Sequence, residues 1–290
     1  MAVQGSTTGQ LENASKEMIA KSLFTMEHTA PNRSLLRKFT LQAGHDTMVI
    51  PKVGQMTFLN VNETEKNTNE MDIGMTTSSV STSIVGGKVI ITDTLLRDNT
   101  QDIWDMVGTQ VGDAAVRKIE ADIITLYSSL NGGTTYGAAG AVFNVANVMN
   151  VIANAKINKF GQRLHVIHHP SCMLRLSKDL TTLGTNRPIP AGYSQERLQD
   201  FFGGIVLSGV PFFETANITP DTNSDAIGVI KHKDALGMLE AGTIRRRKER
   251  DESIGEGAWV LYVTHRYTAF EMDDALGASL TYAAATPATS

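Results

Sequence analysis

DNTQDIWDMVGTQVGDAAVRKIEADIITLYSSL, residues 98–130, reads as one unbroken helix, and its length decides what kind of fold the chain can adopt. Asp98, Asn99 and Thr100 offer N-cap side chains, no proline interrupts the run, and Asn131-Gly132-Gly133 supplies a stop. At 1.5 Å per residue such a helix is a rod of about 50 Å, roughly three times the average length. Its apolar residues do not keep to one stripe. At 100° per residue, Ile103, Val107, Val111 and Ala114 centre about 130° away from Ile119, Ile123, Leu126 and Leu130, so the buried face turns along the rod. A two-stranded coiled coil, which needs a sustained 3.5-residue repeat, is excluded. Asp113 with Arg117 and Lys118 with Asp122 are spaced as i,i+4 pairs. Gly108 and Gly112 predict close backbone approach or a bend near the changeover.

The composition is that of a globular protein large enough for one big domain or two ordinary ones: 290 residues, 41% hydrophobic and 19% charged. A formal charge of -4 gives no global reason to expect nucleic-acid binding. Cys172 is the only cysteine, which rules out intrachain disulfides and a four-thiolate metal site. No apolar run reaches the roughly 18 residues of a membrane span. Glu12, Lys16, Glu17 and Lys21 interrupt the N-terminal stretch, so no secretion signal is expected.

Outward from the rod, the N-terminal side divides into an arm and an excursion. Leu11 to Met26 has the spacing of a modest amphipathic helix, Pro31 breaks it, and Leu35 to Leu41 resumes as a short helix or extended. Thr47 to Pro51 and Thr57 to Val61 read as strands, as do Val80 to Val85 and Lys88 to Leu95, the latter two joined by a turn at Gly86-Gly87. The polar stretch between them has no period, and a two-stranded excursion is marginal in water unless it leans on something. On the C-terminal side, Gly132 to Gly140 reads as a loop at a domain boundary. Asn144 caps a helix running to about Phe160, Leu164 to His168 is a buried strand, and Pro170 opens a helix to Asp179. A Gly/Pro-rich loop covers 180–193, Ser194 begins a short helix, and strands follow at Ile205 to Leu207, Val210 to Glu214 and Ala226 to His232. Gly242 to Arg250 and Ala258 to Tyr267 form a long antiparallel hairpin, and Leu276 to Tyr282 adds a last strand.

Three clusters are candidates for chemistry. His165, His168 and His169 crowd near Cys172, as zinc ligands or an activated thiolate would, but on a strand His165 and His168 face opposite sides and no carboxylate lies close in sequence. A core cysteine and a strand-end histidine pair are the default. The glycines of 132–140 lack the Gly-Lys-Ser/Thr of a phosphate-binding loop. Arg245, Arg246, Arg247, Lys248 and Arg250 are the densest positive cluster, and Glu63, Glu65, Glu70 and Asp72, against the single Lys66, carry the complementary sign. Contact between subunits is the favoured reading, with a solvated strand edge and nucleic-acid phosphates as the alternatives.

Taken in this order, the chain resembles the major capsid proteins of tailed bacteriophages, with the Hong Kong 97-type shell fold. The resemblance is carried by the polar loop flanked by MVIP and GGKVIITDTLL, by GDAAVRKIEADIITLY as a spine helix, by LHVIHHPSCMLRLSKD as a strand-helix of an axial domain, and by GGIVLSGVPFFETANI and IRRRKERDESIGEGAWVLYVTHRYTAF as later strands. It covers nearly the whole chain and rests on the order of segments. It implies an α+β fold with an N-terminal arm (1–45), an extended β-hairpin loop (46–92), a peripheral domain with the spine helix (93–138 and 226–275), an axial α/β domain (139–225) and a C-terminal strand and tail (276–290). It implies a non-enzymatic virion protein without cofactor or metal. Copies would form hexamers and pentamers of an icosahedral shell around double-stranded DNA, assembled in the host cytoplasm without a membrane. Scaffolding, portal and decoration proteins are the partners it brings into view. An encapsulin-like nanocompartment shell and a metal-dependent hydrolase using the histidine cluster are the alternatives. On the capsid reading, the first half of the rod packs on the peripheral sheet and the second half approaches the axial domain.

Overall fold

The computed structural model describes residues 31–53, 60, 74–98, 103–132, 134–181 and 205–287. In chain order its strands are β1 (Arg37–Thr40), β2 (Thr47–Val53), β3 (Met75–Ser81), β4 (Ser83–Thr92), β5 (Tyr136–Gly137), β6 (Leu164–His168), β7 (Val206–Leu207), β8 (Val210–Glu214), β9 (Asp225–His232), β10 (Leu236–Glu240), β11 (Arg245–Asp251), β12 (Ala258–Glu271) and β13 (Gly277–Ala283). Helices span Asp93–Asp98, Ile103–Thr125, Val145–Ile157 and Pro170–Thr181.

β12 organises the first sheet, since its Val, Tyr, Thr and Phe content suits a strand paired on both edges. β4 runs along one edge from Ala258 to Tyr267. β11 and then β10 occupy the other, pairing Ala258 to Thr264 and Tyr267 to Glu271, and β1 adds in parallel to β10. The second sheet has the order β5-β13-β9-β6-β8-β7. All five residues of β6 are buried, so both faces of this sheet are covered. Its cluster takes in Val148, Ile152 and Ala155 of one helix and Cys172, Met173 and Leu176 of another. Asn144 caps the first of these as expected, its side chain accepting from Asn147 N at 2.9 Å.

The long helix bridges the sheets. Ile103, Trp104 and Val107 pack with Val89, Ile91 and Leu95 beside the first sheet. Ile119, Ile123, Tyr127 and Leu130 belong to the cluster of the second. The buried face therefore turns along the rod, as the sequence phase predicts. Its described length is shorter than the expected 98–130. Asp98 lies in the helix Asp93–Asp98, 99–102 lie outside the described residues, and the chain tightens to a 3-10 turn at Leu126–Ser128.

Four expectations are corrected. β4 runs straight through Gly86-Gly87, where a turn was expected. A Cβ on Gly86 would lie 2.4 Å from Val263 O, so that glycine serves close strand approach rather than reversal. The expected strand 88–95 stops at Thr92, where helix Asp93–Asp98 begins. Asp225–His232, grouped by sequence with the hairpin sheet, pairs instead with β6 and β13. The close approach expected at Gly108 and Gly112 is not found among the described residues, since outside the helix's own backbone a Cβ at either meets no described atom within 4 Å. Leu35 to Leu41 resolves as extended at Arg37–Thr40. The expected elements at 11–26 and 194–203, and all of 57–61 but residue 60, lie outside the described residues.

The β2–β3 hairpin leans on the first sheet at its base. Met48, Ile50 and Val80 pack with Phe39, Leu41, Leu239 and Phe270, and Thr268 Oγ1 donates to Ser81 O at 2.8 Å. Further out Val49 and Met75 are exposed.

Because no neighbour needs the space at Gly112, G112A removes a helix-interior glycine without a clash. It raises unfolding stability by about 0.5–1 kcal/mol, read as a higher urea midpoint at unchanged slope; a lower midpoint sinks this account of the site.

Candidate assembly surfaces

A buried polar node fixes where the arm joins the body. Asn32, in a 3-10 turn at Asn32–Ser34, donates through Nδ2 to Glu120 Oε1 at 2.6 Å and accepts from Tyr127 Oη. Lys231 Nζ on β9 donates to Leu35 O at 2.7 Å. Asn32, Glu120, Tyr127 and Lys231 are all fully buried. Burial pushes the Glu120 carboxyl up to about 7, against the pull of Asn32, and pushes Lys231 down to about 7, against the pull of Glu120. Around the node, Arg33 Nη2 meets Glu240 Oε1 at 3.0 Å and Arg37 Nη1 meets Asp234 Oδ1 at 3.6 Å. Motif and charge patterns in the sequence do not single out these residues. The signal they leave is Glu120, which at 100° per residue falls on the same stripe as Ile123, Tyr127 and Leu130.

The basic cluster falls on β11 and is divided in use. Lys248 and Arg250 share the sheet face that carries Trp259 and Leu261. Lys248 Nζ lies 3.7 Å from the Trp104 ring centroid and 4.3 Å from that of Trp259, clasping the start of the long helix to β12. Arg250 Nη2 meets Asp93 Oδ2 at 2.9 Å and its Nε meets Glu252 Oε1 at 3.2 Å. Arg247 pairs with Glu249. Arg245 and Arg246 are exposed and have no ion-pair partner among the described residues. Arg250 is therefore a structural cation, and Arg245 and Arg246 are the cations left over for another surface. Glu63, Glu65, Lys66, Glu70 and Asp72 lie outside the described residues.

The histidine group does not converge. His165 and His168 lie on opposite faces of β6 and both are buried. His168 packs against Phe143 at 5.0 Å and Tyr282 at 6.1 Å between centroids, and its Nδ1 accepts from His169 N at 2.9 Å. Burial pushes the Cys172 thiol up to about 12, the reverse of what a nucleophile needs. No group of three or more His, Cys, Asp or Glu able to hold a metal occurs among the described residues. No described helix is long and apolar enough to cross a membrane.

Among the described residues the protein is a mixed α+β body with a hairpin, a rod between two sheets and no convergent metal or catalytic cluster. The family model described as phage capsid protein matches residues 76–278. The chain belongs to the phage capsid protein family. It is a structural major capsid protein of the virion and not an enzyme, and neither the encapsulin-like nor the hydrolase alternative gains support. No curated protein matches the sequence. Among solved structures, the capsid of cyanophage Pam1 superposes with a TM-score of 0.70 at 13% identity, covering 92% of this chain and 95% of that one. The capsid of cyanophage P-SCSP1u gives 0.68 at 13% identity over 98% and 97%. The head of Helicobacter pylori bacteriophage KHP40 gives 0.66 at 12% identity over 98% of both chains. At these identities the likeness is one of fold, and that fold is the Hong Kong 97-type α+β fold.

The buried histidines give this capsid protein an acid liability. Burial pushes His165 down to about 2 and His168 down to about 3, from 6.5 in the unfolded chain. Between those limits the unfolded state binds protons that the folded state refuses. Their contribution is thus intact above about pH 6.5 and falls as pH drops below it, by at most about 1.4 kcal/mol per pH unit per histidine. Glu120, held up to about 7, works in the opposite direction over the same window, so the test is the difference between proteins: the change in urea midpoint from pH 7 to pH 5 should be less unfavourable in H168F than in the parent, and an identical change in both contradicts the assignment.

Proposed function

We propose that this capsid protein is the principal head subunit of a tailed bacteriophage, forming hexamers and pentamers that close an icosahedral shell around double-stranded DNA in the host cytoplasm. The observation that carries this reading is the end-to-end likeness to head and capsid subunits, with at least 97% of both chains covered in two of the comparisons. In this reading residues 1–45 form the arm and 46–92 the extended loop, whose last strand β4 pairs with β12 in the sheet that makes the peripheral domain with the rod. The second sheet, with β9 and β13 added to the expected 139–225, forms the axial domain. Packaged DNA is a non-specific neighbour, consistent with the net charge of -4. Scaffolding, portal and decoration proteins complete the expected partners.

Between copies, the polar segment holding Glu63, Glu65, Glu70 and Asp72 meets the outer edge of β11 on a neighbouring subunit. Arg245 and Arg246 supply the positive charge, with Arg247 beside them. Exposed rim charges of this kind steer encounter more than they add affinity, and salt screens them.

Electron microscopy of purified protein tests the assembly itself: shells or ring-shaped capsomers are expected, and a discrete monomer or dimer at every concentration overturns it. Reversing Glu63, Glu65, Glu70 and Asp72 to lysine should raise the concentration needed for assembly at low salt by about tenfold, which is ~1.4 kcal/mol. Adding Arg245→Glu and Arg246→Glu should restore part of that loss. If the lysine variant assembles as well as the parent at low salt, the contact is wrong even where shells form.

A further inference from the structure

The helix Val145–Ile157 carries a row of carboxamides that packing does not explain. Asn144, Asn147, Asn150, Asn154 and Asn158 succeed one another at i,i+3 or i,i+4 spacing through the helix and its caps, so at 100° per residue they lie within an arc of about 120°. Asparagine is a weak helix former whose usual places are caps and turns, and the outer members are accounted for that way. Asn144 caps the helix, and Asn158, at its C-cap, donates through Nδ2 to Tyr136 Oη at 2.8 Å. Asn147 Nδ2 donates to Val142 O at 2.9 Å. The side chains of Asn150 and Asn154, about 6 Å apart along the helix, have no hydrogen-bond partner among the described residues.

The middle of the row lines a surface cavity of about 240 Å³. Asn147, Asn150 and Asn154 supply its helix side, and Tyr136, Gly137 and Tyr282, from β5 and β13, supply its strand side. Tyr282 is buried, with its ring edge-on to Phe143 at 5.0 Å between centroids, yet no described group hydrogen-bonds its hydroxyl. A buried tyrosine hydroxyl ordinarily finds a partner. Gly137 has φ +82°, and a Cβ there would collide with Thr281 O and lie 2.9 Å from the Tyr282 ring, so glycine is what lets the chain lie this close to that ring. No charged side chain lines the cavity among the described residues.

We propose that this cavity binds one ring of a neutral saccharide. A carboxamide holds two donors and an acceptor oxygen in one plane, which suits adjacent sugar hydroxyls that must each donate and accept, and the Tyr282 hydroxyl adds a group of the same kind. The volume falls below the ~300–1,000 Å³ of pockets for drug-sized ligands, which limits the occupant to about one ring. The uncharged lining selects against phosphates, carboxylates and amines, since an ion entering it would lose hydration without meeting a countercharge. Gly137, Asn150 and Asn154 are exposed, so the mouth is open and a glycan can continue outward from the bound ring. The ligand is therefore a free sugar or the terminal unit of a chain, two sources of one chemistry. With few hydrogen bonds in an open site, a single ring should bind with a dissociation constant on the order of 1 mM. The site lies inside one subunit, so it stands or falls independently of the shell reading.

Saturation-transfer NMR on the full chain is the test, with the methyl glycosides of glucose, galactose, mannose and N-acetylglucosamine and with neutral trisaccharides ending in each. Transfer onto the ring protons of at least one is expected, and binding about tenfold weaker in N150A/N154A. Alanine is the better helix former at these exposed positions, so the double variant should keep a urea midpoint no lower than the parent's. A trisaccharide bound more tightly than its glycoside assigns the site to chain ends, and equal binding assigns it to the free sugar; either supports the proposal. Absence of transfer from both sets overturns it. Binding unchanged in N150A/N154A overturns it as well, as does transfer confined to glucuronate or glucose 6-phosphate run alongside.

Discussion

Two groups that water would keep charged, Glu120 and Lys231, are shut inside this subunit, and the fold around them is arranged so that each is met. An ion stripped of water costs several kcal/mol unless hydrogen bonds replace the solvent. Asn32, itself held by the Tyr127 hydroxyl, provides the replacement for Glu120, and the Leu35 carbonyl provides it for Lys231. Those partners come from the arm root, the end of the rod and the second sheet. None of these elements can be in place unless the others are. The arm root is therefore part of the folded body from residue 31 onward, with Leu36 in the main core and β1 added to β10.

The rod's turning face follows from the same arrangement. A helix spanning two sheets must show each a different side, and the positions that do so recur at helical spacing, which is why the phase change is legible in the sequence alone. Its ends are not. Asp98-Asn99-Thr100 has the chemistry of an N-cap; Asp98 lies in the helix Asp93–Asp98, and Asn99 and Thr100 lie outside the described residues. Local side-chain chemistry limits where a helix can begin without deciding where it does. The histidine cluster is legible for a similar reason: alternation on a strand is local, so His165 and His168 have to face opposite ways.

What stays hidden is pairing across long separations. Gly86-Gly87 has the composition of a hairpin turn, and a glycine needed for reversal is indistinguishable in sequence from one needed for close approach. The difference lies in Val263, whose carbonyl occupies the space a Cβ would take. Likewise the run Ala226 to His232 announces a strand without naming its neighbours. Its place beside β6 and β13 is fixed by burial on both faces and by Lys231, which must reach Leu35. Glu120 and Lys231 are separated so widely in sequence that neither predicts the other, although each alone is an anomaly on an apolar surface.

The division of the basic strand shows how such a surface is kept available without weakening the subunit. Lys248 is held between Trp104 and Trp259, and Arg250 against Asp93, so these two cations contribute to the body. Arg247 is partly neutralised by Glu249 on the opposite face. Arg245 and Arg246 remain exposed beside residues 241–244, where β10 gives way to β11 along the same edge of β12. Charge at an open strand edge opposes indiscriminate pairing with other sheets. It still attracts a partner of opposite sign, at a range set by ionic strength rather than by a fitted interface. An edge of this design rejects unspecific strand addition and admits an acidic segment. In the assembly proposed above, where identical copies meet in hexamers and pentamers, a subunit needs both.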